Sequence, residues 1–382
     1  MLKIGVIADD FTGATDIASF LVENGMPTVQ INDVPTGTQP EGCDAVVISL
    51  KTRSCPAQEA IKQSLVALDT SFTVISPALP VNGRTVYQGY LFVMNHLLAE
   101  SGMRHHPINP MTDSYLPRLM EAQAQGRCGV IPAQTLDEGV AATRAALSRL
   151  QQEGYRYAVL DALNERHLEI QGEVLRDALL VTGGSGMAMG LARQWAKHGV
   201  SQARSAGYPL SGRAVVLSGS CSQMTNQQVA FYRQHAPTRD VDVARCLSSE
   251  TREAYAEALA QWVLSQDSEL APMISATAST QALAAIQQQY GATEASHAVE
   301  ALFSLLAARL AEGGITRFIV AGGETSGVVT QSLGITGFHI GPCISPGVPW
   351  VNALHAPVSL ALKSGNFGDE SFFIRAQREF QV

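Results

Sequence analysis

Two adjacent acids, Asp9 and Asp10, follow directly on an apolar stretch near the start of the chain, in KIGVIADDFTGATDIASFL (residues 3–21). Neighbouring carboxylates repel each other, so the pair needs a divalent cation, a nearby Lys or Arg, or hydrogen bonds from a polyol. Asp10 is also suited to take a proton from a substrate hydroxyl. Alternatively, Asp10 caps a helix that begins near Thr12, where the helix dipole favours a carboxylate. The residues alone leave both interpretations open.

Basic residues follow the next two apolar stretches: Lys51 and Arg53 after CDAVVISL, and Arg84 after SFTVISPALP. Because the carboxyl ends of parallel strands meet at one edge of a sheet, we expect these cations on the same rim as Asp9 and Asp10. Arg53 and Arg84 would suit the carboxylate of an anionic substrate. The alternative for each is a solvated loop charge.

Glycine-rich segments follow apolar stretches in the second half of the chain: LSGSCSQMT (217–225), IVAGGETSG (319–327) and LKSGNFGDESFF (362–373). Gly322 and Gly323 let the backbone approach a ligand, and the helix that starts there would point free N–H groups at an anion. Ser220 and Thr325 would add hydroxyl donors. The pattern predicts a phosphate site.

The strands and helices that position these residues can be predicted from an alternating pattern in the sequence. Short apolar runs rich in Val and Ile alternate with segments of helical period, which predicts βαβ units on a parallel sheet. At 382 residues we expect two α/β domains, each built on a mainly parallel sheet flanked by helices, with the active site in the cleft between them. The predicted domains are 1–200 and 213–382, joined by a linker at 201–212. The predicted helices include 13–24, 56–68, 86–100, 225–235, 250–266 and 297–312.

Composition excludes several classes of protein. With 26 basic and 34 acidic residues the net charge is −8, which argues against a broad nucleic-acid surface and favours a small-molecule partner. Six cysteines without a CxxC pair predict a reduced, cytoplasmic protein without a zinc site, and no apolar run is long enough for a membrane helix. There is no P-loop motif. GSGMAMG (184–190) loosely resembles a dinucleotide fingerprint, but no acid that could hold a ribose follows it before Asp240.

Eight segments together resemble the four-carbon acid sugar kinase family, with the closest likeness to the branch that acts on 3-oxo-tetronates. They are ADDFTGA (8–14), KTRS (51–54), PALPVNGRTVYQG (77–89), VTGGSG (181–186), GSCS (219–222), AGGETSG (321–327), SPGVPW (345–350) and LKSGNFG (362–368). The resemblance therefore covers nearly the whole chain.

The resemblance implies a two-domain, ATP-dependent kinase that phosphorylates the C4 hydroxyl of a four-carbon sugar acid in carbohydrate acid catabolism. Threonate and erythronate remain alternative substrates, and a non-catalytic nucleotide and sugar-acid sensor is the rival from another class; a homodimer is left open. It implies an amino-terminal acid-sugar domain and a carboxy-terminal ATP domain, with Mg²⁺ accompanying ATP on unassigned ligands. The implied ATP-binding residues are Ser220, Gly322, Gly323, Glu324, Thr325 and Gly365. Substrate is expected at Asp9, Thr12, Arg53 and Arg84, with Asp10 as the catalytic base.

The chain departs from the family between Leu68 and Ser71. Family members carry there a further strand and helix, on the order of 30 to 40 residues, including a Lys-x-x-Ser-Thr-Phe-Asp-Ser type segment of the sugar-acid site. The motifs on both sides are intact. One hypothesis is that a mobile substrate loop is missing from the sequence as written, and the other is a real deletion. An intact mass roughly 4 kDa above that of 382 residues would support the first.

Overall fold

A computed structural model describes residues 3–32, 42–50, 72–105, 110–178, 180–196 and 199–380. The strands of these residues are β1 (Ile4–Ala8), β2 (Thr28–Asn32), β3 (Ala45–Ser49), β4 (Thr73–Ser76), β5 (Arg84–Tyr87), β6 (Tyr90–Val93), β7 (His96–Leu97), β8 (Cys128–Ile131), β9 (Tyr157–Leu160), β10 (Thr182–Gly183), β11 (Arg213–Ser218), β12 (Thr238–Asp240), β13 (Met273–Ser275), β14 (Ile315–Ala321), β15 (Gly337–Ser345), β16 (Val348–Ala353) and β17 (Ser359–Lys363).

The helices of the same residues are α1 (Phe11–Glu23), α2 (Leu116–Glu121), α3 (Ala133–Asp137), α4 (Val140–Gln152), α5 (Glu165–Leu175), α6 (Ser185–Trp195), α7 (Val200–Arg204), α8 (Gln223–Tyr232), α9 (Ser249–Ser265), α10 (Thr280–Tyr290), α11 (Ala292–Glu312), α12 (Gly323–Ser332) and α13 (Phe372–Arg378). No helix in the described ranges is long and apolar enough to cross a membrane.

The chain divides into two compact units. Unit 1 comprises the described parts of Met1–Glu23, Pro27–Lys51 and Ser201–Val382, and unit 2 those of Asn24–Met26 and Thr52–Val200. The predicted domains were continuous segments, 1–200 and 213–382. In the compact units the first strands are grouped with the carboxy-terminal half, because β2 pairs antiparallel with β15, for example Val29 with His339.

Unit 1 is built on a ten-stranded sheet in the order β1-β3-β2-β15-β16-β17-β14-β11-β13-β12. The strands β17, β14, β11, β13 and β12 are parallel to one another, as are β1, β3 and β2, while β15 and β16 are antiparallel to their neighbours. Apolar side chains of Val216, Ile319 and Trp350 pack with Phe372 and Phe373 of α13 in one core cluster. This burial fixes the strands whose carboxyl ends carry the glycine-rich segments.

Unit 2 contains a four-stranded parallel sheet, in the order β10-β4-β9-β8, and a three-stranded antiparallel sheet, β5-β6-β7. The α/β class and the mainly parallel sheets predicted from the alternating pattern are thus confirmed.

The prediction of a helix at 86–100 is wrong, because β5, β6 and β7 occupy this segment. Gln88 and Gly89 both have positive φ, 52° and 76°, which makes a tight hairpin turn between β5 and β6. Buried Asp161 accepts hydrogen bonds from the backbone N–H groups of Gln88 (2.6 Å), Gly89 (2.9 Å) and Ala133 (3.0 Å). A contact 72 residues along the chain therefore stabilises the turn.

Candidate nucleotide and acid site in unit 1

Three loops meet at one edge of the unit 1 sheet, because β17, β14 and β11 are neighbouring parallel strands. Each loop follows the carboxyl end of its strand, where α/β sheets bind ligands. The loops contain the predicted nucleotide-binding residues Ser220, Gly322–Thr325 and Gly365. An ideal Cβ on Gly365 would lie 2.6 Å from Ser220 Oγ, and one on Gly322 would lie 3.2 Å from Ser220 N. The structure therefore brings these residues together.

The loop after β11 is held by its neighbours. The N–H groups of Gly219 and Ser220 donate to the carbonyl of Ala321 at 2.9 and 3.1 Å. Ser222 caps α8 by accepting from Thr225 N at 3.2 Å, and Ser222 N donates to Ser220 Oγ at 3.2 Å. The backbone of Ser220 is thus held by Ala321, and its Oγ accepts a hydrogen bond from Ser222 N.

The loop after β14 opens α12 without a side-chain cap. Gly322 adopts φ 125°, a conformation that favours glycine, and its N–H donates to Lys363 O at 2.8 Å. Within the described ranges, no hydrogen bond is formed by the N–H groups of Gly323, Glu324 or Thr325. Unsatisfied N–H groups at the positive end of a helix dipole form an anion site.

A cavity of about 340 Å³ begins at these loops and continues between α10 and α11. Its wall is apolar where Leu283, Ile286 and Val299 line it, and polar at Gln287 and Glu300. Such a volume is at the lower end of the range for small-molecule sites. A flat apolar group linked to phosphates, such as the base of a nucleotide, matches this combination.

Asp10 caps α1, as the alternative interpretation of the sequence held. Its Oδ1 accepts from Gly13 N at 2.6 Å, and its Oδ2 lies 3.4 Å from Thr12 Oγ1. Asp9 is exposed beside it. An ideal Cβ on Gly323 would lie 4.0 Å from Thr12 Cγ2, so the amino-terminal ends of α1 and α12 are adjacent. The first acidic motif and the glycine-rich loop after β14 therefore share one region of unit 1.

The two predicted substrate arginines do not belong to the described part of unit 1. Arg53 lies outside the described residues. Arg84 is exposed at the start of β5 in unit 2, where its backbone pairs with Leu79. No group of three or more His, Cys, Asp or Glu side chains in the described ranges is arranged to hold a metal ion.

Sequence reasoning missed two residues of this site. Glu300 lies on α11, where the helical pattern gave no reason to separate it from other surface acids. Lys363 is fully buried at the end of β17, and burial lowers its pKa to about 7. The sequence feature that could have identified Lys363 is its position between an apolar strand and a Ser-Gly pair.

Two family models match the chain. One, described as a sugar-binding N-terminal domain, matches residues 4–71 and 65–191, and the other, described as a nucleotide-binding C-terminal domain, matches residues 215–373. The chain is therefore a protein with a sugar-binding and a nucleotide-binding domain. It belongs to the four-carbon acid sugar kinase family, since its full length aligns with members of that family.

Among the relatives, the 3-oxo-tetronate kinase of Salmonella typhimurium is 90% identical, with 100% of each chain covered. The 3-oxo-tetronate kinase of Escherichia coli is 71% identical over 91% of this chain and 99% of the relative. A crystal structure from Salmonella typhimurium LT2, described as a candidate tRNA synthase, has 88% identity, a TM-score of 0.94 and 100% coverage of both chains. A crystal structure from Haemophilus influenzae has 48% identity and a TM-score of 0.83, covering 99% of this chain and 100% of that one.

Two of these matches agree with the expectation that this chain lacks a segment of the family between Leu68 and Ser71. The alignment with the Salmonella kinase runs over 420 positions, although this chain has 382 residues, so the relative has about 38 positions without a counterpart here. The sugar-binding model matches in two parts that meet at residues 65–71. The overlap of these two parts lies in the sugar-binding half, and the match to the nucleotide-binding model is continuous.

Proposed function

We propose that the protein transfers the γ-phosphoryl group of ATP to the C4 hydroxyl of 3-oxo-tetronate. The observation that carries the proposal is the meeting of three serine- and glycine-containing loops at the ends of β11, β14 and β17, beside the acidic start of α1. Phosphoryl transfer needs mainly alignment of the reactants and neutralisation of charge. Backbone N–H groups for phosphates and a nearby carboxylate supply these elements. The 90% identical Salmonella relative named 3-oxo-tetronate kinase supports the choice of substrate.

Asp10 is our candidate for the base that accepts the proton of the attacking hydroxyl. Its Oδ1 accepts from Gly13 N, and its Oδ2 is the oxygen proposed to accept the proton. The 3.4 Å distance from Oδ2 to Thr12 Oγ1 is long for a hydrogen bond between oxygens, so this contact is easily exchanged for a substrate hydroxyl. Asp9 and Thr12 would then bind the remaining hydroxyls of the sugar acid.

Arg53 and Arg84 are proposed to bind the carboxylate of the sugar acid. A guanidinium group makes two parallel hydrogen bonds to a carboxylate, which fixes its orientation as well as its charge. This role rests on the sequence motifs KTRS and VNGRTVYQG.

Mg²⁺ is proposed to accompany ATP. Magnesium in phosphoryl-transfer sites is usually held by one or two carboxylates together with phosphate oxygens, so a cluster of three acids is not required. Asp10 and Glu324 belong to the adjacent amino-terminal ends of α1 and α12 and would fit this pattern. When bound, the ion would neutralise charge on the phosphates.

Coupled ADP release with ATP and Mg²⁺ tests the proposal against a panel of both 3-oxo-tetronates, both threonates and both erythronates. We expect turnover with a 3-oxo-tetronate and at least tenfold lower kcat/KM with the others. Preferential turnover of a threonate or erythronate would contradict the substrate assignment and retain the kinase. Each acid without ATP, and ATP without acid, are the controls.

A non-catalytic sensor of nucleotide and sugar acid is the second candidate, favoured by the 38 positions that this chain lacks. The sensor predicts binding of ATP without ADP release for any acid of the panel. A calorimetric titration with ATP beside the turnover assay separates the two functions, because the kinase predicts both binding and release.

The proposed partner is a small molecule and the proposed location is the cytoplasm. The described cysteines Cys128, Cys221, Cys246 and Cys343 form no disulfide within the described ranges, and this cysteine usage supports the proposal of a reducing compartment. The net charge of −8 disfavours transfer RNA as a partner.

A further inference from the structure

Lys363 has a buried amine that contacts only neutral oxygen atoms. Its Nζ donates to Thr225 Oγ1 at 3.1 Å, to Ser364 O at 3.0 Å and to Gly365 O at 2.8 Å. The three N–H bonds of an ammonium group thus have three acceptors. Within the described ranges, Lys363 makes no ion pair with a carboxylate. Burying a charge is costly unless it is compensated, so this arrangement calls for an explanation.

The two carbonyl contacts fix the direction of two peptide units. In a trans peptide, the C=O of one residue and the N–H of the next point in opposite directions. Since Ser364 O and Gly365 O face the amine, the N–H groups of Gly365 and Asn366 face away from it. Neither N–H donates a hydrogen bond to the described part of the chain. The loop therefore presents two consecutive free donors, an arrangement suited to an anion.

Lys363 is also connected to the other two loops of the site. Its carbonyl accepts from Gly322 N at 2.8 Å, and Thr225, which it contacts, donates through Oγ1 to Gly365 O at 2.7 Å. Thr225 in turn lies in the first turn of α8, directly after the Ser220 loop. The side chain of Lys363 thus joins its loop to the segment after β11, and its carbonyl group joins it to the loop after β14.

We propose that Lys363 is a positioning residue, which turns the N–H groups of Gly365 and Asn366 toward the phosphate groups of a bound nucleotide. The inference rests on the proposed ATP-dependent function. It identifies the phosphates, and not the base or the sugar acid, as the part of the reactants whose binding depends on Lys363.

Calorimetric titration of ATP, ADP and adenosine into the wild-type protein and Lys363→Met tests this dependence. Methionine keeps the length and burial of the side chain but has no N–H donors. We expect the affinities for ATP and ADP to fall at least tenfold while the affinity for adenosine stays within twofold. Lys3→Met, at the opposite end of β1 from Asp9, is the matched control and should bind all three ligands like the wild type.

Unchanged ATP affinity in Lys363→Met, or an equal loss for all three ligands, would overturn the inference alone. Failure of the wild-type protein to bind ATP would overturn the proposed function and the inference with it. If Lys363→Met does not fold, the wild-type protein still decides the question by NMR. The amide signals of Gly365 and Asn366 should shift with ADP and not with adenosine, and the absence of an ADP-dependent shift would contradict the proposal.

Discussion

Asp10 is both the cap of α1 and the proposed catalytic base. Substitutions can separate these two roles. Asparagine caps a helix about as well as aspartate, but it cannot accept a proton at neutral pH. Asp10→Asn should therefore keep the hydrogen bond from Gly13 N and lower kcat by about 10² to 10⁴. Steady-state kinetics with the preferred acid measure the effect.

The control is Asp10→Ala, which removes the cap as well. It should lose activity to a similar extent and, in addition, about 1 kcal/mol of the free energy of unfolding. Normal turnover in Asp10→Asn would show that Asp10 is only a cap.

Lys363 makes the stability of unit 1 depend on pH. Burial lowers the pKa of Lys363 from its ordinary 10.5 to about 7 in the folded protein. Between these values the unfolded chain binds more protons than the folded chain, so the free energy of unfolding rises with pH. The rise should approach about 1.4 kcal/mol per pH unit between these values and should fade as the pH falls below about 7, where both states become protonated.

Urea unfolding of the wild type and Lys363→Met, between pH 6 and pH 9.5, isolates this contribution from other titrating groups. The difference in free energy of unfolding between the two proteins should increase with pH above 7. A constant difference would mean that Lys363 keeps its charge in the folded protein throughout this range.

The residues of the site were predictable from the sequence to different extents. Ser220, Gly322 and Gly365 stand in recognisable segments directly after apolar runs, so their position at the ends of strands followed from the pattern. The contacts of Lys363 could not be predicted, because they depend on which strands are neighbours in the sheet. That order is set by packing across the whole unit.

At the scale of elements, the start of α12 depends on a glycine with no space for a side chain. A Cβ on Gly322 would lie 3.0 Å from Thr325 Oγ1 and 3.2 Å from Ser220 N, at a φ that other residues rarely adopt. Gly322→Ala should shift the Ser220 loop, raise the KM for ATP at least tenfold and reduce stability by about 1–3 kcal/mol. Kinetics and thermal unfolding measure the two effects.

Gly327 offers a matched control in the same helix. A Cβ there meets nothing within 4 Å, and the residue lies inside α12. Gly327→Ala should leave the KM for ATP unchanged and stabilise the protein by about 0.5–1 kcal/mol. Equal effects of the two substitutions on the KM would indicate a general response of α12 to added bulk.

The hairpin at β5 and β6 illustrates why one predicted element was wrong. The apolar residues of 86–100 satisfy a helical spacing, but in the hairpin Val86 pairs with Leu91, and these are the buried residues of the two strands. Asp161 stabilises the hairpin, because its carboxylate accepts hydrogen bonds from the backbone N–H groups of the turn. A local pattern contains no information about a partner this far along the chain.

At the scale of the whole molecule, the sequence predicted the α/β class because it follows from local alternation of strands and helices. It did not predict that β1, β2 and β3 would join the sheet of the carboxy-terminal half. This connection is made by pairing between residues about 300 positions apart, such as Val29 and His339. Asp10 and Thr12 consequently belong to the same compact unit as the glycine-rich loops.

The residues that this chain lacks near 65–71 should affect the turnover of the sugar acid but not the binding of ATP. The described loops of the nucleotide site lie between residues 219 and 368, within the continuous match to the nucleotide-binding model. Insertion of the corresponding 38 residues of the Salmonella relative between Leu68 and Ser71 should therefore leave the Kd for ATP unchanged and raise kcat/KM for the sugar acid at least tenfold. Calorimetry and coupled ADP release measure the two quantities.

A Gly/Ser insert of equal length is the control, since it restores spacing without the side chains of the family segment. If the effect requires the family sequence, the inserted residues bind the acid or order its site. If the Gly/Ser insert raises kcat/KM equally, the length of the connection is what limits this chain. A change in ATP affinity with either insert would contradict the prediction that the segment affects only the sugar acid. Binding of the nucleotide would then depend on a segment outside the matched nucleotide-binding domain.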